Sequence, residues 1–114
     1  MPNDCIFCKI IAGEIPAKRI YEDPHVIAIV DAHPQAPEHI LVLPREHYAG
    51  IAEFSDGAEH SVIAQLMAVA AKLGNERGPK GFRLVINSGD EGGQTVGHLH
   101  VHVLAGRRMT WPPG

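Results

Sequence analysis

The segment His98-Leu99-His100-Val101-His102-Val103-Leu104 alternates histidine with apolar residues and then closes on two apolar residues. Successive side chains of an extended strand point to opposite faces. The pattern therefore predicts a strand with His98, His100 and His102 on one face. Leu99, Val101 and Val103 take the other face and call for a core beneath them. The strand rise would space the imidazoles about 6–7 Å apart. Each imidazole brings two nitrogens that need partners. A solvated edge strand could carry such a row, but Lys, Glu or Thr would build that face at lower cost. A nucleophile, a general acid–base pair or a metal site accounts for it better.

The rest of the chain limits the fold around this strand. Its 114 residues suit one domain, taken as residues 1–114 with 106–114 an extended tail. The composition is 45% hydrophobic and 20% charged, as in an ordinary globular protein. A formal charge of -3 argues against a nucleic-acid polymer as partner. No apolar run approaches the roughly 20 residues of a membrane span. Met1-Pro2-Asn3-Asp4-Cys5 lacks the basic and apolar regions of a secretory leader, so the cytoplasm is expected. Cys5 and Cys8 are then expected to be reduced or metal-bound rather than bridged.

Cys5 to Ile11 reads as a short helix, with Asp4 as its cap and Gly13 as its stop. Ala17–Glu22, His25–Asp31, His39–Leu43 and Phe82–Asn87 read as strands, joining residues 98–104 to make five. Pro34 and Pro37 keep residues 32–38 in a loop. Ser55 is expected to cap one long helix ending near Leu73, with Gly74 and Asn75 as terminators. Its apolar face comprises Val62, Ile63, Leu66, Met67, Ala70 and Leu73. The sum is an α+β domain: a mainly antiparallel sheet with one long and one short helix. Trp111-Pro112-Pro113 excludes regular structure from the tail.

Four groups of residues bear on chemistry. Gly92, Gly93, Gln94 and Thr95 precede the histidines and would offer backbone N–H groups to an anion; an ordinary hairpin connection is the plainer use. Asn87 would add a side-chain donor nearby. Asp31 ends an apolar strand; it either caps the next turn or accepts bonds from vicinal hydroxyls. Cys5 and Cys8 have the spacing of half a tetrahedral zinc site, with His47 and His98 as candidates for the other half. The plainer reading is two reduced cysteines packed in a small helix. His39 opens a strand and is a further candidate for the histidine site.

The run His98–Leu104 resembles the histidine triad motif, in which histidines alternate with apolar residues. Cys5–Ile15, Asp31–Pro44 with Pro34-Gln35-Ala36-Pro37, Gly92-Gly93-Gln94 and Arg107–Gly114 extend the resemblance to the Hint branch over nearly the whole chain. The resemblance implies a homodimeric α+β protein that binds purine nucleoside monophosphates and hydrolyses phosphoramidates. It implies His100 as nucleophile, His102 with Thr95 at the phosphate or leaving amine, and His39 in support of His100. Asp31 would take the ribose hydroxyls. Phe7, Ile10, Ile15, Ile29 and Val30 would line the base pocket, and Asn87, Gly93, Gln94 and Thr95 would surround the phosphate. It also implies a structural zinc on Cys5, Cys8, His47 and His98, no cofactor for catalysis, and a Trp111 tail reaching the partner's site. Two positions depart from the pattern. Gly97 stands where an aromatic residue is frequent, and Ala32 where a bulkier apolar residue is; both open space.

Two other readings compete. Alternating histidines can hold a catalytic metal with an open water position. Alternatively, the chain is a nucleotide-responsive binding module whose hydrolysis is incidental.

Overall fold

A computed structural model describes residues 4–114 of the chain. The expectation that no secretory leader is present rests partly on residues 1–3, which lie outside the described residues. The fully apolar strands explain the architecture, because they must be covered on both faces. β2 (Val26–Val30) and β3 (Glu38–Pro44) pair antiparallel in the middle of the sheet, with Ile29 opposite Leu41. β1 (Arg19–Glu22) flanks β2, while β5 (Val101–Ala105) flanks β3 and β4 (Phe82–Val85) closes the far edge. The order is β1-β2-β3-β5-β4, antiparallel throughout, as the α+β reading expects.

Alternation divides the apolar residues between two cores. Val26, Ala28, Ile40, Val42, Leu99, Val101 and Val103 meet helical residues Phe54, Leu66, Val69, Ala70 and Leu73 on one side. Ile27, Ile29, Leu41 and Leu43 meet Cys5, Phe7, Cys8 and Ile10 on the other. A helical layer thus covers one face, and the short α1 (Ile6–Ile11) covers part of the opposite one. No helix is long and apolar enough to cross a membrane among the described residues.

Four local expectations change. α1 is capped by Cys5 rather than Asp4: the Cys5 sulfur accepts from the Cys8 N–H at 3.3 Å. The long helix is two helices, α2 (Ile51–Gly57) and α3 (His60–Arg77), parted by extended Ala58 and Glu59. Ser55 lies inside α2 and bonds Ala52 O. The break lets Phe54 and the α3 residues enter the same core from different directions. Val69 occupies the face expected of Met67, which is 42% exposed. Gly74 does not terminate α3 but sits inside it, where a Cβ would collide with the Phe82 ring. The glycine marks a close helix–strand approach rather than a stop.

The ladder of β5 begins at Val101, so His98 and His100 precede the regular strand. The alternation nevertheless holds, since Leu99 packs with Val101 and Val103. Residues 106–114 carry no regular structure, and the Trp111–Pro112 bond is cis.

Candidate functional site

The histidine segment enters two clusters. In the first, His98 is fully buried beside the N-terminus of α1. Its Nδ1 lies 3.4 Å from Cys5 Sγ, 3.6 Å from Cys8 Sγ and 3.2 Å from His47 Nδ1. Cys8 Sγ is 3.3 Å from His47 Nδ1. His98 Nε2–H donates to Pro44 O at 2.9 Å, which leaves Nδ1 as the lone-pair nitrogen. Burial lowers the His98 pKa to about 4 and, with the Cys5 neighbour, raises the Cys8 thiol to about 11.

This donor set fits zinc. The four ligand atoms converge within 4.8 Å of one another. Zinc bonds of about 2.0–2.3 Å place tetrahedral ligands some 3.3–3.8 Å apart. Two sulfurs and two imidazole nitrogens are a usual structural set, and the Pro44 carbonyl supplies the outer partner that orients a ligating histidine. The sequence-derived candidates Cys5, Cys8, His47 and His98 are therefore brought together.

The second cluster contains His100, His102, His39 and Asp31. His100 Nδ1–H donates to His98 O at 2.7 Å. This bond assigns the tautomer and leaves the lone pair on Nε2. His39 and His102 are diagonal neighbours on one sheet face, because His39 pairs with Leu104 and Leu41 with His102. Gln35 N–H donates to His39 Nδ1 at 2.9 Å. The His39 proton therefore sits on Nε2, which donates to His102 Nδ1 at 2.9 Å. His102 is left with its proton on Nε2. Burial lowers the pKa of both histidines, that of His102 to about 4, so both are neutral near pH 7. Phe7 packs edge-on against His100 with ring centroids 5.0 Å apart.

Asp31 takes up the turn-capping use. Oδ1 accepts from His33 N–H at 2.7 Å and caps the turn. Oδ2 lies 3.4 Å from His39 Nε2.

The glycine loop departs from expectation. The Gly93 and Gln94 N–H groups bond Asp90 O and Gly89 O, so they close the loop and are not offered to an anion. Gly93 has φ +83, the left-handed turn conformation that suits glycine. The Gln94 side chain donates to Ala49 O and Val96 O and accepts from Gly89 N–H. It clamps the loop to the neighbouring segments. Thr95 is exposed, and half-buried Asn87 lies two residues beyond β4. Phe7, Ile10 and Ile29 are packed in the second core, while Ile15 and Val30 are half-buried at its margin.

Sequence reasoning missed Gln35, whose role is carried by its backbone. The two prolines around it, Pro34 and Pro37, were the available signal of a fixed loop.

Comparison with known proteins identifies the family and the fold. A family model described as HIT domain matches residues 12–109. The chain belongs to the HIT domain family. A HIT-like protein of Synechococcus elongatus is 48% identical over 116 residues, covering 100% of both chains. A Brassica juncea protein named 14 kDa zinc-binding protein is 42% identical over 113 residues, covering 97% of this chain and 100% of its own. The crystal structure of a HIT family hydrolase from Legionella pneumophila superposes with a TM-score of 0.91 at 44% identity, covering 97% of this chain and 100% of that one. The five-stranded HIT fold thus extends over nearly all of the chain.

Proposed function

We propose that this HIT protein is a Hint-like hydrolase of purine nucleoside 5'-phosphoramidates. The observation that carries the reading is the His100 Nδ1–H bond to His98 O, which leaves the lone pair on Nε2. In the proposed reaction His100 Nε2 attacks the α-phosphorus and a nucleotidyl-histidine forms. The P–N bond breaks, and the amine leaves with its electron pair after taking a proton from His102 Nε2 or from Thr95. Water then attacks the phosphorus, loses a proton to the same group, and releases nucleoside monophosphate and free His100. His39 fixes the His102 tautomer, and Asp31 takes the ribose hydroxyls. Asn87 approaches the phosphate, and Phe7, Ile15 and Val30 face the base. The Legionella relative's name as a hydrolase supports the coarse reaction type.

Zinc on Cys5, Cys8, His47 and His98 is assigned a structural role, supported by the donor set and the Brassica relative's name. It would tie α1 to the histidine segment and take no part in the reaction. The assembly is a homodimer in this reading. Trp111 is 81% exposed, consistent with a tail that packs on a partner near its site.

His100→Ala tests the reading. The variant should bind AMP within a fewfold of the parent and lose turnover of an adenosine phosphoramidate by about 10⁴-fold or more. Retained turnover would remove His100 as nucleophile.

A second reading rests on a different observation. Asp31, His39 and His102 also converge closely enough to hold a metal. The direct His39–His102 hydrogen bond and the Gln35 bond to His39 favour a proton-bearing chain over a ligand set. Restoration of activity by zinc in chelated, folded protein lacking the Cys5 and Cys8 thiols would favour the metal reading.

A further inference from the structure

We propose that Cys5 and Cys8 form a redox-active dithiol, which a hydroperoxide closes to a disulfide with expulsion of the zinc. The chain has two cysteines, and both lie in this one turn. Their sulfurs lie within 4.8 Å of each other and are not bridged. Cys5 stands just outside α1 in an extended conformation, and its sulfur is already turned back over the first turn to accept the Cys8 N–H. A disulfide needs a Cα separation of about 4.4–6.8 Å and a Cβ separation of about 3.5–4.5 Å. Residues three apart on a helix face have Cβ atoms about 5–6 Å apart. The approach needed is therefore about 1–2 Å. A cap residue can supply it by rotation without unwinding the helix.

The reaction balances with the peroxide as the only oxidant. One thiolate attacks a peroxide oxygen and the O–O bond breaks. A sulfenic acid forms, and the other oxygen leaves as alkoxide or hydroxide. The second thiolate attacks the sulfenic sulfur, the S–S bond forms, and hydroxide leaves. Two electrons pass from the sulfurs to the peroxide, and solvent protonates the oxygens that leave. A disulfide sulfur carries no negative charge, so zinc loses both anionic ligands and departs from His47 and His98 as the dication. A small oxidant reaches the sulfurs from the side of His47, which is half-buried. A bridge over so short a loop constrains the unfolded chain less than a long loop would, so it suits a reversible state better than a structural staple.

Closure also acts on the histidines. The Cys5 sulfur caps α1, and α1 carries Phe7 against the His100 ring with centroids 5.0 Å apart. Loss of the metal removes the tie between α1 and His98, whose carbonyl accepts the His100 Nδ1 proton. The oxidised state therefore loosens both supports of His100. This consequence rests on the zinc and His100 readings, whereas the closure rests on the two sulfurs alone.

The test treats full-length, zinc-loaded protein with hydrogen peroxide. It reads zinc release with a chromophoric chelator, thiol content, and the mass of tryptic peptide 1–9, which holds both cysteines. Zinc should appear in step with the loss of thiols, one ion for each pair. The peptide should lose the mass of two hydrogens and gain no oxygen. Dithiothreitol followed by zinc should restore all three values. In ¹⁵N-labelled protein, the Phe7 and His100 amides should shift with the same time course. These readings use the parent protein, so the folding of a variant does not enter. Intact thiols and retained zinc in excess peroxide would overturn the site. Oxygens gained on either cysteine with no bridge would overturn the dithiol. A bridge that forms while zinc stays bound would overturn the expulsion. A protein that takes up no zinc yet closes the bridge would keep the dithiol and overturn the zinc reading. A shift at Phe7 with none at His100 would overturn the link to the histidines.

Discussion

His39 makes two hydrogen bonds of opposite sense, and the order of protons along the site follows from them. It accepts from Gln35 N–H on one nitrogen and donates to His102 on the other. Removing the ring leaves His102 free to adopt either tautomer. His39→Leu should therefore lower the turnover number by about a hundredfold with little change in KM, the size of a mis-set general acid–base group. An equal loss in both parameters, with a lowered melting temperature, would assign His39 to packing alone. The buried imidazoles also set an acid limit on stability. His102 has a folded pKa near 4 against about 6.5 in an unfolded chain. Above pH 6.5 neither state binds the proton and the folded state carries no penalty. As the pH falls from 6.5 towards 4, the unfolded chain takes up a proton that the folded chain does not, and stability declines. Discounted for its partial exposure, the effect is about 1–2 kcal/mol. His102→Gln should flatten the fall in denaturation midpoint across this window; an unchanged slope would place the acid sensitivity elsewhere.

At the scale of elements, periodicity carried most of what could be read from the sequence. The central strands announced themselves because β2 and β3 are buried on both faces and leave no polar alternation to confuse. The histidine row was equally legible, since alternation fixes faces even where the ladder has not begun. The helical break at Ala58 and Glu59 follows Gly57, a residue type that commonly ends helices, but the apolar spacing read for one long helix runs past it. The glycine loop shows a related effect. Its composition permits free amides, but the turn spends those of Gly93 and Gln94 on its own closure. Cysteine spacing gave half of a metal site, and the other half needed the fold to bring His47 and His98 alongside. Gly74 shows the same limit and yields a test. On propensity alone, Gly74→Ala should stabilise α3 by nearly 1 kcal/mol. The Phe82 ring occupies the space the new methyl would need. The substitution should instead destabilise by about 1–3 kcal/mol, the usual cost of overpacking. Combining it with Phe82→Ala should cost less than the two single changes summed, because the clash disappears; simple additivity would mean the helix and β4 move apart freely.

Across the whole molecule, the first cluster joins parts distant in sequence. It links the start of α1 to His47 after β3 and to His98 before β5. α1 is only six residues long, too short to be stable alone, so its place depends on contacts to the sheet. Part of that contact is the second core, including Phe7 against His100. A zinc ion at the four donors would add a tether that the unfolded chain lacks. A ligand present at 100–1,000 times its dissociation constant stabilises by about 3–4 kcal/mol. For a domain of this size, such a change corresponds to about 10 °C or more in melting temperature. Chelation should therefore lower the melting temperature by that order, and one equivalent of zinc should restore it. Cys5→Ser with Cys8→Ser should melt near the chelated parent and respond to neither treatment. The same loss should loosen His98, whose carbonyl holds the His100 proton. Phosphoramidate turnover should then fall in the chelated protein while still folded, yet not vanish, since Gln35, His39 and His102 stay linked without the metal site. A melting temperature indifferent to chelation, in protein shown to have held one zinc, would reduce the tether to a surface ligand. Full loss of turnover in the folded double variant would instead place the metal in the reaction.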